Sequence, residues 1–360
     1  MQDDFLEEDG IWSGEAEEQE LFEHHRFVAD GGQEPLRVDK FLVDRLPNAS
    51  RNRIQLAADA GSIHVNGKEV KSNFKVRAGD TVALVMAAPP RIFELKGEDL
   101  PIDIVYEDDD VLVVNKAPGM VVHPGHGNYH GTLVQAVLFH LEKLPVATGK
   151  EPQRPGMVHR IDKDTSGLLV FGKNDHAMQH LAKQFFHHTI ERKYMAMVWG
   201  DVKEESGTIT GNIGRSKQDR KIFRVFEEEE GLGKHAVTHY QVLKRYGYIT
   251  LMEFQLETGR THQIRVHSKH IGHTLFNDSH YGGDRPLRGT LFSKYKQFVE
   301  NCFAILSRTA LHAKSLGFEH PRTGEWKFFE TPLPNDFVSA MKKWEDYTQA
   351  KGFQFEEDEA

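Results

Sequence analysis

The most informative part of this sequence reads HRIDKDTSGLLV, residues 159–170. It places a carboxylate, Asp162, on a polar loop between two apolar runs, 158–161 and 168–171, which we predict to be strands. Catalytic groups often lie on loops that rigid elements hold in place. A neighbouring cation such as Arg160 favours the ionised carboxylate, which is the form that a nucleophile needs. The alternative left open by the spacing is an ordinary surface loop of mixed charge.

Residues 101–345 show no break in composition and are predicted to form one domain. Strands are predicted at 102–106, 111–115, 194–199, 249–256 and 311–318, and helices at 132–142, 175–188 and 261–271. Strands outnumber helices and do not alternate strictly with them. This pattern favours an α+β fold with a mixed, largely antiparallel sheet.

Residues 36–86 form a second predicted domain, with two helical segments followed by small strands. Ser50 stands where the N-cap of the second helix is expected. The pair Asn66-Gly67 is typical of a tight hairpin turn. Residues 87–100 contain two adjacent prolines and are the predicted linker to the larger domain.

The charge is divided between the ends and the middle of the chain. The whole sequence carries −9, yet residues 1–35, with twelve acids and one arginine, carry −11, and residues 352–360 carry −4. The remainder is therefore basic, at +6, which suits a nucleic-acid partner. Blocks of like charge at termini are typical of solvated tails, so we predict disordered tails at 1–35 and 346–360. The alternative for the N-terminal block is an acidic mimic that competes with nucleic acid for the basic surface.

Missing motifs exclude several classes of protein. The single cysteine, Cys302, excludes a disulfide framework and cysteine-based zinc sites. No apolar run approaches the roughly 18 residues of a membrane helix, and the acidic start is unlike a secretory signal, so we expect a cytoplasmic protein. The run at 231–234 resembles a phosphate loop but is followed by histidine rather than serine or threonine. The 21 histidines show no ligand spacing with a carboxylate, so no metal is expected.

Five blocks of the sequence together resemble the RluA-type pseudouridine synthases. The first is HRIDKDTSG at 159–167, where the family has His-Arg-Leu-Asp-x-x-Thr-Ser/Thr-Gly. The others are VLVVNKAPG at 111–119, RKYMAMVWG at 192–200, TGRTHQIRVH at 258–267 and LHAKSLGFEHP at 311–321. The resemblance implies isomerisation of uridine to pseudouridine in RNA by a pseudouridine synthase catalytic domain. This reaction is redox-neutral, so no cofactor is expected.

The resemblance also implies roles for individual residues. Asp162 is the expected catalytic group, Arg265 its pairing arginine, and Tyr194 the aromatic side chain over the target base. Arg160 is expected to fill the space left by the flipped nucleotide, because flipping costs a few kcal/mol. Further RNA contacts are expected from His159, Lys116, Arg260 and His262.

The domain at 36–86 resembles the αL RNA-binding motif first named from ribosomal protein S-four. The resemblance rests on RVDKFL at 37–42, Ser50-Arg51 and SIHVNGK at 62–68. It implies binding to structured RNA through exposed cations, namely Arg37, Lys40, Arg51, Arg53 and Lys68. Because this domain accompanies the large-ribosomal-subunit synthases of the C and D types, a monomeric enzyme acting on large-subunit rRNA is expected, with tRNA as the alternative.

One block departs from the family pattern. The family has Gly-His-Pro-Ile-x-Gly-Asp-x-x-Tyr-Gly, whereas this chain has Thr274 at the proline and Asn277 at the second glycine. The Asp278 and Tyr281 positions remain. We expect an altered local backbone and altered RNA contacts, which bear on the exact RNA target and not on the reaction. A non-catalytic RNA-binding or ribosome-assembly factor is the competing hypothesis, followed by a metal-dependent nuclease or deaminase.

Overall fold

The computed structural model divides into two compact units, residues 1–94 and 95–360. It describes residues 22–46, 49–86, 95–125, 127–142, 144, 155–216, 218–219, 222–227, 230–290 and 292–352. Most of the predicted tails and most of the predicted linker, at 1–21, 87–94 and 353–360, lie outside the described residues.

The first unit is a small sheet packed against two short helices. Its elements are β1 (Phe22–Val28), β2 (Leu36–Arg37), α1 (Val38–Val43), α2 (Arg51–Asp59), β3 (Ile63–Val65), β4 (Lys68–Glu69), β5 (Lys75–Val76) and β6 (Thr81–Met86). The main sheet has the order β1-β6-β3-β4, and β2 pairs with β5. Ser50 caps α2 by accepting a hydrogen bond from the backbone N–H of Arg53. Asn66 and Gly67 both take positive φ in the turn between β3 and β4, as the sequence predicts.

Residues 22–28 correct the prediction of a disordered tail over 1–35. They form the edge strand β1, which runs antiparallel to β6 with Val28 opposite Thr81. Phe27 packs against the core of this unit, and Ala29 is buried in it. Counting charge over the whole segment hid the strand, because nine of its twelve acids precede residue 22. The strand itself contains aromatic and β-branched residues that favour a sheet.

The second unit contains the larger sheet and five helices. In chain order its elements are β7 (Asp103–Glu107), β8 (Val111–Lys116), α3 (Leu133–Leu141), β9 (Ser166–Gly172), α4 (Asp175–His187), β10 (Glu191–Trp199), β11 (Ser206–Arg215), β12 (Phe223–Phe226), β13 (Lys234–Arg245), β14 (Ile249–Leu256), α5 (Gln263–His270), α6 (Ser293–Ile305), β15 (Leu311–Glu319), β16 (Trp326–Glu330) and α7 (Asn335–Lys351).

Ten strands of this unit form one sheet. Its order is β12-β11-β13-β14-β10-β15-β9-β8-β7, with β16 paired to β15. Among the described residues, the one parallel pairing joins β9 to β15, where Ser166 lies opposite His312. The predicted α+β fold with a mixed, largely antiparallel sheet is confirmed.

Alternate residues of the sheet face two different cores, as the two-residue period of a strand requires. In β10, Tyr194 and Ala196 belong to a core that includes Leu133 of α3. Met195 and Met197 face the other side, where they pack with residues of α6 and α7. The strand therefore carries Tyr194 on the face opposite α6 and α7.

Two predicted features of this unit are wrong. Residues 158–161 form no strand, because the backbone there enters a loop and regular pairing begins at Ser166. The predicted C-terminal tail at 346–360 begins inside α7, where Trp344 and Thr348 are buried. No described helix is both long and apolar enough to cross a membrane.

Candidate active site

A cavity of about 470 Å³ lies between the loop before β9, strand β10 and the start of α5. Asp162, Tyr194 and Arg265 all line it. The structure thus brings together three side chains that lie up to 103 residues apart in the sequence. Other predicted residues that line the same cavity are His159, Arg160, Arg260 and His262.

Arg265 joins two carboxylates. Its Nη1 donates to Oδ2 of Asp162 at 2.9 Å, and its Nε and Nη2 donate to the two oxygens of Asp278 at 2.7 and 2.8 Å. Burial lowers the pKa of Arg265, but the hydrogen bonds and charges of Asp278 and Asp162 outweigh burial and raise that pKa above its usual value. The guanidinium therefore stays charged. Asp278 is fully buried, whereas the Asp162 side chain remains 24% exposed at the cavity.

Gln263 fixes the start of α5 and hence the position of Arg265. Its Oε1 accepts hydrogen bonds from Thr258 Oγ1 and from the backbone N–H of Arg260. Its Nε2 donates to the carbonyl of Val237 and to Thr238 Oγ1. The side chain is buried, so these bonds are protected from water. Sequence reasoning missed Gln263, although it lies inside the block at 258–267.

His262 lies next to Asp162, and the backbone of His262 is strained. Its φ of 58° is unusual for a residue other than glycine, and such strain is often found at functional sites. Its Nε2 lies 3.8 Å from Oδ2 of Asp162, and its Nδ1 is 2.9 Å from the hydroxyl of Tyr281. Burial lowers the pKa of His262 to about 4, so the imidazole is neutral at physiological pH. The residue can hydrogen-bond a substrate without adding charge.

Tyr194 is only 6% exposed and packs in the core beside the cavity. Burial raises the pKa of its hydroxyl, so the phenol is protonated at neutral pH. A flat, protonated ring at the wall of a polar cavity can stack on a base.

Three consecutive backbone carbonyls of the loop that carries Asp162 accept hydrogen bonds, and these bonds hold the loop in place. The carbonyl of Asp162 accepts from the N–H of Thr165 at 3.2 Å. That of Lys163 accepts from Lys116 Nζ at 2.9 Å, and that of Asp164 accepts from Arg308 Nη1 at 3.1 Å. Fixing the backbone in this way holds a catalytic group in place before substrate binds.

Lys116 corrects a prediction, because it cannot contact RNA. The side chain is 1% exposed, and its Nζ donates to the carbonyls of Ala117, Met120 and Lys163. Burial lowers the pKa of Lys116 to about 7. Its role in this structure is to connect the end of β8 to the loop of Asp162. From sequence, a lysine ending an apolar strand looks the same whether it is buried or solvated.

His159 is held by contacts within the protein, whereas Arg160 is exposed at the cavity. The Nε2 of His159 accepts from the backbone N–H of Val170, and its ring stacks on Phe185 with centroids 4.4 Å apart. Burial lowers the pKa of His159 to about 3, so it is neutral. Arg160 is exposed and lines the cavity, which suits a residue that contacts RNA. Arg260 lines it too and donates to the carbonyl of His235.

A second cavity of about 370 Å³ shares part of its lining with the first. Asp162, Arg160 and Arg265 line both cavities. Lys163 and His280 are among the polar residues that line only the second. Asp162 is therefore reached from both cavities.

The block that departs from the family pattern still places two residues at the site. Asn277, at the family's glycine position, has a φ of 57°. Asparagine is among the non-glycine residues that tolerate this conformation best. Its Nδ2 donates to the carbonyl of Leu306 at 2.7 Å. The turn places Asp278 against Arg265 and Tyr281 against His262. The expected change of local backbone stays a prediction.

The predicted RNA-binding cations of the first unit differ in their surroundings. Arg37 and Arg51 both donate to Asp39, which is fully buried. The hydrogen bonds from Arg37, Arg51 and Gln55 lower the pKa of Asp39 despite its burial. The remaining predicted cations are exposed, namely Lys40, Arg53 and Lys68.

One group of described residues could in principle hold a metal ion: Asp108, Asp110 and His320. Its oxygens already have protein partners. Arg322 donates twice to Asp110, and Tyr106 donates to Asp108. His320 is hydrogen-bonded to Asp108 at 2.9 Å. The arrangement is a structural ion-pair network, away from the cavity residues.

Comparison with known proteins agrees with this site. Residues 110–270 match the family described as RNA pseudouridylate synthase, and residues 36–82 match the S4 domain. Two human proteins, RNA pseudouridylate synthase domain containing 1 and 4, share the fold of the chain. Their TM-scores are 0.51 and 0.52 at 22% identity, over 71% and 68% of this chain and 97% and 93% of theirs.

The relatives in sequence are closer. An RNA pseudouridine synthase of Chlorobaculum parvum is 49% identical over 86% of this chain and 94% of its own. The RNA pseudouridine synthase YlyB of Bacillus subtilis is 44% identical over 88% and 96%. The ribosomal large subunit pseudouridine synthase D of Nitrosomonas europaea is 37% identical over 85% and 84%. This chain therefore belongs to the RluA-type family of RNA pseudouridine synthases and carries an S4 domain at its N-terminus.

Proposed function

We propose that this enzyme isomerises specific uridines of large-subunit ribosomal RNA, with Asp162 as its catalytic group. The observation that carries the proposal is the contact between Arg265 and Asp162 at the wall of a cavity that Tyr194 also lines. One oxygen of Asp162 is occupied by Arg265, and the other is available to the ribose. The buried Asp278 orients the arginine from behind.

The reaction breaks the bond between N1 of uracil and C1′ of ribose and forms a bond between C5 and C1′. The proton on C5 leaves, and N1 gains one, so atoms and charge balance. In this proposal Asp162 acts at the ribose during cleavage, as nucleophile or as base. Tyr194 stacks on the base while it turns, and Arg160 occupies the gap left in the RNA by the flipped nucleotide.

The choice of ribosomal RNA is supported by the relatives and by the first unit. Proteins named ribosomal large subunit pseudouridine synthase D, from Nitrosomonas europaea and Zymomonas mobilis, are 37% and 40% identical to this chain. The S4 domain supplies exposed cations such as Lys40 and Arg53, which suit the phosphates of structured RNA. We propose a monomer that acts without metal in the cytoplasm.

Transfer RNA is the alternative substrate. A binding-only assembly factor is not favoured, because Asp162 and Arg265 are both present and in contact. An assembly factor would have no need for a carboxylate held half-exposed at a cavity.

The test is site-resolved mapping of pseudouridine. Unmodified large-subunit rRNA and bulk tRNA would be incubated in EDTA with the wild type and with Asp162→Asn. We expect signal at defined rRNA uridines with the wild type, and a loss of at least about 10³-fold with the variant. The variant should keep the wild-type melting temperature and RNA affinity, because Asn preserves the shape of the side chain.

Each other outcome is informative. Signal only in tRNA would contradict the substrate but keep the reaction. Turnover by Asp162→Asn near the wild-type rate would remove Asp162 from catalysis. Loss of signal in EDTA, restored by a divalent cation, would contradict a metal-free reaction.

A further inference from the structure

Arg192 is a buried cation for which the fold provides no anion. It lies on β10 two residues before Tyr194, so both side chains leave the same face of the strand. Both line the cavity that contains Asp162. Arg192 is 8% exposed, and its Nε has no hydrogen-bond partner. Within the described part of the chain, no carboxylate forms an ion pair with it.

The guanidinium has neutral neighbours. Its Cζ lies 5.1 Å from the centroid of the Phe185 ring. An added Cβ at Gly259 would lie 3.2 Å from Nη1. The hydroxyl of Tyr194 is a further neighbour, because a hydrogen bond from Arg192 acts to lower the pKa of that hydroxyl. None of these groups carries a negative charge. A charge removed from water without a partner is costly, so an enzyme that keeps one at its cavity gains from it only when the substrate supplies the partner.

We propose that Arg192 donates to a carbonyl oxygen of the target uracil and stabilises the charge that the base carries while it is detached. The inference rests on the proposed placement of the reaction at Asp162. When the N1–C1′ bond breaks, its electron pair stays on N1 and is delocalised onto O2 and O4. The charge disappears when C5 bonds to C1′ and the C5 proton is lost, with N1 protonated. A donor fixed at the site of developing charge lowers the barrier to such a step.

The base is a better partner for Arg192 than an RNA phosphate. A phosphate is strongly hydrated and is met by cations that water can reach, which this cavity has at the exposed Arg160 and the half-buried Arg260. Arg192 is instead enclosed beside Tyr194, the residue that stacks on the base in the proposed reaction. A neutral donor there would gain less from the negative charge of the detached base. A charged one binds the detached anion more tightly, which favours the reaction.

The experiment is a cycle between an enzyme variant and a substrate variant. Wild type and Arg192→Gln would be given a short RNA containing the mapped target as uridine, 2-thiouridine or 4-thiouridine. Single-turnover rates of product formation and RNA dissociation constants would be measured for each pair. Sulfur is a weaker hydrogen-bond acceptor than oxygen, so it removes the contact from the substrate side. Arg260→Gln is the matched control, because it removes a cation that lines the same cavity.

We expect Arg192→Gln to lose about 10²-fold in rate on uridine with RNA affinity unchanged. One of the two thio substitutions should slow the wild type at least about fivefold more than it slows Arg192→Gln. Arg260→Gln should respond to sulfur as the wild type does. Arg192→Lys, which keeps the charge, should recover part of the rate. Melting temperatures of all variants would identify any that fail to fold. If Arg192→Gln is one of them, Arg192→Met, which removes the donors and keeps the length of the side chain, carries the cycle.

The proposal would be overturned if, for both thio substrates, the loss caused by Arg192→Gln and the loss caused by sulfur were additive in free energy. A loss confined to RNA affinity would overturn it as well and would indicate a phosphate contact. The wild-type rate on uridine reports the reaction itself, whereas the coupling to sulfur reports Arg192. Failure of the proposed function and failure of this inference are therefore distinguishable.

Discussion

Each unit of this enzyme contains a fully buried aspartate that binds arginine, but the numbers of aspartates and arginines in the two groups are reversed. In the first unit, fully buried Asp39 accepts hydrogen bonds from two exposed arginines, Arg37 and Arg51. In the second, fully buried Asp278 binds one buried arginine, Arg265, which then reaches a second carboxylate, Asp162. The first group has a net charge of +1 and the second a net charge of −1.

The difference shows how a buried carboxylate can set the charge that a surface offers. One aspartate that holds two arginines presents cations in a fixed arrangement, which suits phosphate. One aspartate that holds a single arginine leaves that arginine able to fix a second, half-exposed carboxylate. We propose that the same pair of residue types supports RNA binding in one unit and chemistry in the other.

The largest effect is expected from removing the shared arginine of the second unit. Arg265→Ala leaves Asp162 unpaired and Asp278 buried without a cation, so the single-turnover rate should fall by at least about 10³-fold. RNA affinity should change little.

Arg260→Ala is the control for this prediction, since it also removes a cation from the cavity wall. It should retain most of the rate. If Arg265→Ala lowered RNA affinity and left the rate at saturation intact, Arg265 would be a phosphate contact, and the contrast between the two units would be lost.

Much of this contrast was visible in the sequence, and some of it was not. The motif blocks predicted Asp162, Tyr194 and Arg265, because each of these residues lies in a short, fixed pattern of neighbouring residues. They did not predict that Asp278 orients Arg265, since that contact depends on how the chain folds back 13 residues later. The hydrogen bond from Arg308 to the carbonyl of Asp164 spans 144 residues, and no local pattern signals it.

Burial was the other quantity that the sequence could not supply. Lys116 was predicted to bind RNA because it is basic and lies in a family block, yet it is enclosed by three carbonyls. Arg192 lies in a block as well, but its lack of a partner appears only in three dimensions. The strand at 22–28 was hidden by the charge of its neighbours.

A smaller effect is expected from the exposed cations of the first unit. Replacing Lys40 and Arg53 together by glutamine should weaken RNA binding and reduce the slope of log affinity against log salt by about 1.5. The single-turnover rate at saturating RNA should be unchanged, because neither residue lines the cavity. An unaltered salt slope would mean that this surface does not contact phosphate.

A further effect concerns stability in acid, which should differ between the two units. Burial lowers the pKa of His159 to about 3 and of His262, His267 and His312 to about 4. Unfolded histidine titrates near 6.5, so the unfolded state binds more protons between these values, and stability falls as pH drops from 6.5 towards 4. Each histidine should contribute a loss of about 1–2 kcal/mol at pH 5.

Asp39 behaves differently, because its hydrogen bonds hold its pKa below the usual value. Asp39 therefore keeps its contribution to stability until the pH falls below the pKa of an ordinary aspartate. Hydrogen exchange followed by mass spectrometry between pH 7 and pH 4.5, corrected for intrinsic rates, should show protection lost in residues 95–352 before residues 22–86. The reverse order would contradict the assignment of neutral buried histidines.

The most direct test compares the two buried aspartates by the same substitution. Asp278→Asn and Asp39→Asn each remove one buried negative charge and keep the shape of the side chain. With saturating RNA, the single-turnover rate should fall by about 10²-fold or more for Asp278→Asn and stay within about twofold of wild type for Asp39→Asn. RNA affinity should fall for Asp39→Asn and stay near the wild-type value for Asp278→Asn. Equal losses of rate in both variants, or a full rate in Asp278→Asn, would contradict the account.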